Sequence, residues 1–272
     1  MRLKNSTCPE ERAFHEWLLR VGDGKEETFP DVGESMIKIP EKFRSKSTTI
    51  KDFCYEIFPG LSEAIENGLK NHEQNPHWVK YLVERAIICP ANRGNEEITK
   101  ICTDMIVGQK MMIYRSTDRM LNPTEALRFP TEFLNKVTLS GIPDHIIVLK
   151  RGMPIMLLSN LDKKNGHANG SRYINILLIP RIIFQPKDQE LPFEMERRQF
   201  PVRPCFAMTS NKSQGQNLNM VGLNVTKEFF THGQTFTACS RVTSSKGLKV
   251  FKPQTADHPK HMANVVFTEL LD

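Results

Sequence analysis

Two segments far apart in the chain share one shape: an apolar strand that runs directly into a polar loop and then a helix. The first is ERAIICPANRGNEEITKICTDMI, in which Arg85–Cys89 has strand length and Pro90–Gly94 is a loop. Asn95–Ile106 then sets Ile98, Ile101, Cys102 and Met105 on one helical face. The second begins with a strand at Cys205–Thr209, passes through Asn211–Leu218 as a loop entering a helix, and returns with a strand at Met220–Val225. A helix at Gln234–Ser240 and a closing strand at Leu248–Phe251 complete it. Strand, loop and helix is the unit of a parallel sheet covered by helices, so the chain is predicted to be α/β.

The interval between them has another rhythm. HIIVLKRGMPIMLLSNLDKKNGHANGSRYINILLIPRIIF places short apolar runs between turn signals at Lys150-Arg151-Gly152, Lys164-Asn165-Gly166 and Asn169-Gly170. That spacing predicts a small antiparallel barrel at about 145–195, inserted into the α/β domain. Ahead of the first unit, Phe14, Trp17, Leu18 and Val21 recur at helical spacing, with Gly22 as the expected C-cap. Gly22–Lys51 is polar and reads as a connector, and Lys51–Leu69 as a helical unit broken at Pro59-Gly60. The domains expected are thus 1–144 and 196–255 around the 145–195 insertion, with a tail at 256–272.

Composition excludes several classes. With 39% hydrophobic and 25% charged residues the chain is not a disordered one. Its longest apolar runs are strand-sized, far short of the roughly 18–20 residues of a membrane span, so no membrane partner is expected. MRLKNSTCPEERAFHEW lacks the apolar core of a secretory signal. The six cysteines form no CxxC pair, which predicts a reducing compartment and no cysteine zinc site. His258 and His261 stand three apart without a third ligand and read as part of a solvated tail. Residues 1–100 carry 15 basic and 17 acidic side chains, while 101–272 carry 22 and 14. The excess of +8 in the later part suits a polyanion or plain solubility.

Two stretches carry candidate chemistry. FAMTSNKSQGQNL follows a buried strand with Thr209, Ser210, Asn211, Lys212, Ser213, Gln214, Gly215 and Gln216 in succession. At the C-terminal edge of a parallel sheet such groups face the ligand crevice, where they bind phosphate oxygens or merely cap a helix. In HGQTFTACSRV, Phe236, Cys239 and Val242 form a core face and leave Gln234 and Arg241 to point elsewhere. Arg241 is then either a solvated residue or an arginine finger. Trp17 lies on the apolar helical face and reads as core; Trp78 is left open between core and base stacking.

RRQFPVRPCFAMTSNKSQGQNL followed by HGQTFTACSRVTSSKGLKVF resembles motifs V and VI of the Pif-type DNA helicases, a superfamily-one group that includes the helicases of Helitron transposons. ERAIICPANRGNEEIT resembles their motif IV region and GQKMMIYRSTD their Y-x-S-x-D element. LSGIPDHIIVLKRGMPIMLLSNLDKKNG resembles the entry to their SH3-like insertion, and Met1-Arg2-Leu3 the end of motif III. The resemblance implies a second RecA-like helicase lobe interrupted by an SH3-like barrel, acting with ATP and Mg2+ and moving 5′→3′ on single-stranded DNA. It implies that Arg241 is the arginine finger, and that Gln234 and Gly215 lie near the nucleotide. Thr209, Asn211, Lys212, Ser213 and Gln214 would hold the DNA backbone or couple it to ATP, and Arg2 would close motif III. An intracellular location is expected, the nucleus ahead of the mitochondrion.

Departures from the family pattern qualify what the chain does alone. No GxxxxGK[ST] occurs, since Gly22–Glu27 reads GDGKEE, and no apolar strand ends in Asp-Glu. The expected partner is therefore a first lobe that supplies both, without which no ATP hydrolysis is expected. The start at the motif III boundary suggests an incomplete reading frame or a transposon copy. Ile174-Asn175 runs almost directly into ILLIPRI, so the barrel is expected to lack a hairpin. A binding module without catalysis is the alternative reading.

Overall fold

The fold is that of a computed structural model, which describes residues 8–70, 77–122, 124–139, 141–174, 178–186 and 191–270. The first part holds α1 (Pro9–Gly22), β1 (Met36–Lys38), α2 (Ile50–Ile57), α3 (Leu61–Lys70), α4 (His77–Val83), β2 (Arg85–Cys89) and α5 (Asn92–Met105). The middle holds β3 (Met111–Arg115), β4 (Thr117–Met120), α6 (Thr131–Leu134), β5 (Ile146–Lys150), β6 (Ile155–Leu157), β7 (Arg172–Tyr173), β8 (Ile182–Phe184), β9 (Met195–Gln199) and β10 (Val202–Pro204). The last part holds β11 (Ala207–Thr209), α7 (Ser210–Ser213), β12 (Met220–Asn224), α8 (Gln234–Cys239), β13 (Leu248–Phe251) and β14 (His261–Ala263).

A four-stranded parallel sheet in the order β11-β2-β12-β13 forms the centre, and the fold is mixed α/β as the sequence predicts. β2 is buried on both faces, and its alternation sorts the core. Ala86 and Ile88 face a cluster with Phe14, Trp17, Phe43, Ala238 and Cys239, so α1 and α8 cover that side. Ile87 and Cys89 face Phe53, Ile57, Ile98 and Cys102, so α2 and α5 cover the other. This two-sided burial is why the strand reads as a continuous apolar run.

α1 begins with Pro9 at its first turn and Glu10 and Glu11 beside the positive end of the helix dipole. The expected glycine C-cap is corrected: Gly22 is the last helical residue and Asp23, in right-handed conformation, caps. A Cβ on Gly22 would lie 2.9 Å from the Phe236 ring, so its smallness serves the packing of α1 on α8. The connector expected at 22–51 is also corrected. Ile37 in β1 pairs with Met262 in β14, and Ile37, Ile39 and Phe43 are core residues. A three-residue strand is too short for its period to show. Trp78 is core as well, with its indole against Gly68 and only 4% exposed.

The antiparallel strands pair from β3 through β10, a longer stretch than 145–195. β3 and β4 form one bent strand: β3 pairs with β5, and β4 with β9. β9 and β10 form another, pairing with β4 and β8 and then with β6. Such bends turn a sheet across its own core, here Ile147, Leu157 and Val202 with Tyr114, Tyr173 and Phe200 around them. The expected missing hairpin falls at 175–177, outside the described residues.

Arg172 on β7 ties this section to the parallel sheet. Its guanidinium donates to the carbonyls of Leu82, Val83, Arg85 and Cys205 at 2.9–3.2 Å. Lys150 on β5 adds two bonds, to the Thr103 and Ile106 carbonyls at the C-terminus of α5, where a cation is favoured. Arg172→Met should cost about 2 kcal/mol, because bonds from a charged group are lost and four carbonyls must find other donors. Urea unfolding, with amide exchange in β6 and β7, checks this; unchanged exchange there would show that Arg172 is not the tie.

Candidate nucleic-acid interface

The C-terminal edge of the sheet gathers the candidate loops. Thr209 is in register with Cys89, so the exits of β11 and β2 lie side by side. Thr209 ends β11 and the chain enters α7 without a side-chain cap. Asn211, Gln214 and Gly215 are exposed here. Gly215 has φ +79° with open space around it, so it is glycine for its backbone and not for packing.

Ser210, Ser213 and Gln234 come together in a different role. Ser210 Oγ donates to the Gln234 carbonyl at 2.9 Å, and Ser213 Oγ to the Ser210 carbonyl at 2.6 Å. Gln234 is 7% exposed, and its Oε1 accepts from the backbone N–H groups of Phe230 and Thr231. These bonds join α7 to α8 and close the turn before α8. The expectation that Gln234 points away from the core is corrected: it is buried at the start of α8.

Arg241 lies just past the other end of α8. Its carbonyl accepts from Leu218 N–H at 2.9 Å, which fixes the backbone, and Val242 is buried beside it. The guanidinium folds back on its own helix, Nε donating to the Thr237 carbonyl at 2.9 Å and Nη2 to Ser240 Oγ at 2.8 Å. Partial burial lowers its pKa. Arg2 lies outside the described residues.

Lys212 differs from its neighbours. It lines a cavity of about 610 Å³ between α5 and the antiparallel strands, and among the described residues its ammonium group has no hydrogen bond or ion pair. Desolvation, and then the nearby Arg203 guanidinium, push its pKa down to about 8. Arg203 on β10 lines the same cavity, and so does Asn95 on α5. The sequence pattern singles out neither, because each sits inside an element at a position that its period assigns to packing.

Among the described residues no group of three His, Cys, Asp or Glu side chains could hold a metal ion. The buried Cys89 and Cys239 thiols are pushed up to about 12 by burial and are unreactive. No helix of the described residues is long and apolar enough to cross a membrane.

The family model described as the DNA helicase Pif1 2B domain matches residues 132–178. The ATP-dependent DNA helicase PIF1 of Danio rerio is 30% identical over 129 residues, 39% of this chain and 19% of that protein. The chain thus matches about a fifth of the length of its curated relatives. Among solved structures, the Pif1 helicase from Candida albicans aligns with a TM-score of 0.49 at 17% identity, over 77% of this chain and 56% of that one. The Bacteroides Pif1 helicase in complex with ADP-AlF3 and ssDNA aligns with a TM-score of 0.46 at 20% identity, over 76% and 51%. Family model and sequence relatives agree: the chain is related to the Pif1-type DNA helicases and resembles part of their C-terminal region.

Proposed function

We propose that the chain is the DNA-engaging part of a Pif1-type ATP-dependent DNA helicase and that a first lobe, with its P-loop and acidic strand, completes the ATPase. In this reading the parallel sheet with its covering helices forms a second RecA-like lobe, and the antiparallel section from β3 to β10 is its SH3-like insertion. Single-stranded DNA runs over the C-terminal edge of the sheet, where Thr209, Asn211, Lys212, Ser213 and Gln214 face or support the backbone. Gly215 and Gln234 shape the nucleotide side and Arg241 reaches the γ-phosphate, while ATP and Mg2+ are held by the first lobe.

The observation that carries the reading is the pair of cations Lys212 and Arg203, neither in a salt bridge among the described residues, on a cavity beside the β11–α7 loop. The matched 2B-domain model covers β5, whose Ile146 and Val148 line the same cavity. Binding of a labelled oligothymidylate to the purified chain tests it. Affinity should fall as salt rises, with a slope of roughly 0.7 per phosphate neutralised. ATP turnover should be absent until a first lobe is added. Failure to bind single strands at any salt overturns the proposal; binding with no turnover after lobe addition leaves a DNA-binding module without catalysis.

A further inference from the structure

We infer that Arg203 is a further nucleic-acid-binding residue: with Lys212 it holds one backbone phosphate, and the cavity beside them receives the base attached to that phosphate. The inference rests on the single-strand reading above and names a subsite within it.

Three independent features converge on the cavity. First, Arg203 and Lys212 line it, and among the described residues neither is in a salt bridge with the carboxylates that share the lining. Among the described residues Arg203 Nε is buried with no hydrogen-bond partner, and Nη2 makes only a long contact to the Met156 sulfur at 4.0 Å. Glu96, Asp104 and Asp144 also line the cavity but stand at exposed positions, with Lys100 among them. Desolvation, and then Arg203, lower the pKa of Lys212. Two cations held together in a part-buried place repel unless an anion joins them, and a phosphate diester offers oxygens to both.

Second, the opposite wall is apolar and open. Met111 and Ile146 line it and are 52% and 47% exposed, with Val148 beside them. Such a wall suits the flat face of a base, and a volume of about 610 Å³ lies within the usual range for small-ligand sites. Third, Asn95 is 6% exposed, and both its amide nitrogen and its amide oxygen lack partners. A buried amide left unpaired is destabilising, and a base edge carries the donors and acceptors that would satisfy it.

The test measures affinity of the chain for labelled single strands by fluorescence anisotropy across salt and pH. Arg203→Met should weaken binding at least ten-fold and lower the salt slope by about 0.7. Arg203→Lys should recover part of both. Wild-type affinity should fall as pH rises through about 8, because a phosphate favours charged Lys212; Arg203→Met should move that fall to higher pH. An abasic strand should bind roughly ten-fold more weakly than its parent, and Asn95→Leu should reduce that difference. If Arg203→Met keeps the wild-type affinity and slope, Arg203 is not in the site. Should that variant fail to fold, Arg203→Lys with wild-type salt and pH profiles rejects the phosphate contact. An abasic strand that binds like its parent rejects the base subsite. Absence of all single-strand binding by the wild type is a different result and removes the parent reading.

Discussion

Joined to a first lobe, Arg241→Ala should lower ATP turnover by about three to five orders of magnitude while leaving single-strand affinity unchanged. The size of the effect follows from placement. The Arg241 carbonyl is fixed by Leu218 N–H, and Cys239 and Val242 anchor the chain on either side in the core. Only the guanidinium is then left to move. It rests on the Thr237 carbonyl and Ser240 Oγ, two neutral acceptors at the end of its own helix. A γ-phosphate would offer charged oxygens in their place, and charge-assisted bonds are roughly twice as strong. Arg241→Lys should not restore turnover, because a single ammonium lacks the planar fork that spans two oxygens. Single-turnover hydrolysis at saturating single-stranded DNA measures this. A loss smaller than ten-fold would take Arg241 out of the role.

The largest effect on folding is expected at Arg197. Its side chain is 2% exposed against an Asp118 carboxylate that is fully buried. Nη2 lies 2.8 Å from Asp118 Oδ2 and Nε 3.1 Å from Oδ1. The remaining donors reach the carbonyls of Leu134, Val137 and Pro143. One guanidinium thus joins β4, β9, α6 and the segment at 137–143. Arg197→Ala should cost about 3–5 kcal/mol, since it leaves a buried carboxylate without its counter-charge. Removing both charges with Asp118→Leu and Arg197→Leu should cost less than either single truncation, because no unpaired ion remains. Urea unfolding checks both, and a single-variant loss below about 1 kcal/mol would show that water replaces the pair.

Much of the architecture was legible because burial writes a period. The apolar face of α1, the doubly buried β2 and the apolar face of α5 each follow from spacing alone. β1 did not, because three residues give no period, and its partner β14 lies near the far end of the chain. Trp78 was undecided since α4 is only seven residues long. The candidate site was legible where residue types are unusual for a strand exit, as at Thr209–Gln216. Arg203 and Asn95 were not: one alternates with Val202 along β10, the other lies near Ile98 on α5, and only the facing wall makes either distinctive. The burial of Gln234 was not legible, because in sequence a buried amide bonded to backbone looks like an exposed one.

The order β11-β2-β12-β13 also sets a timetable for synthesis. β2 ends at Cys89, yet its two neighbours begin at Ala207 and Met220. A ribosome adding about 5–20 residues per second leaves the central strand with both edges unpaired for roughly ten seconds. During that wait β3 to β10 emerge and can pair among themselves, while an apolar strand open on two sides is a template for other chains. Helices α2 and α5, which cover one of its faces, emerge before or just after β2. Nascent chains halted near residue 150 should therefore be the most dependent on chaperones, and those released past Phe251 the least.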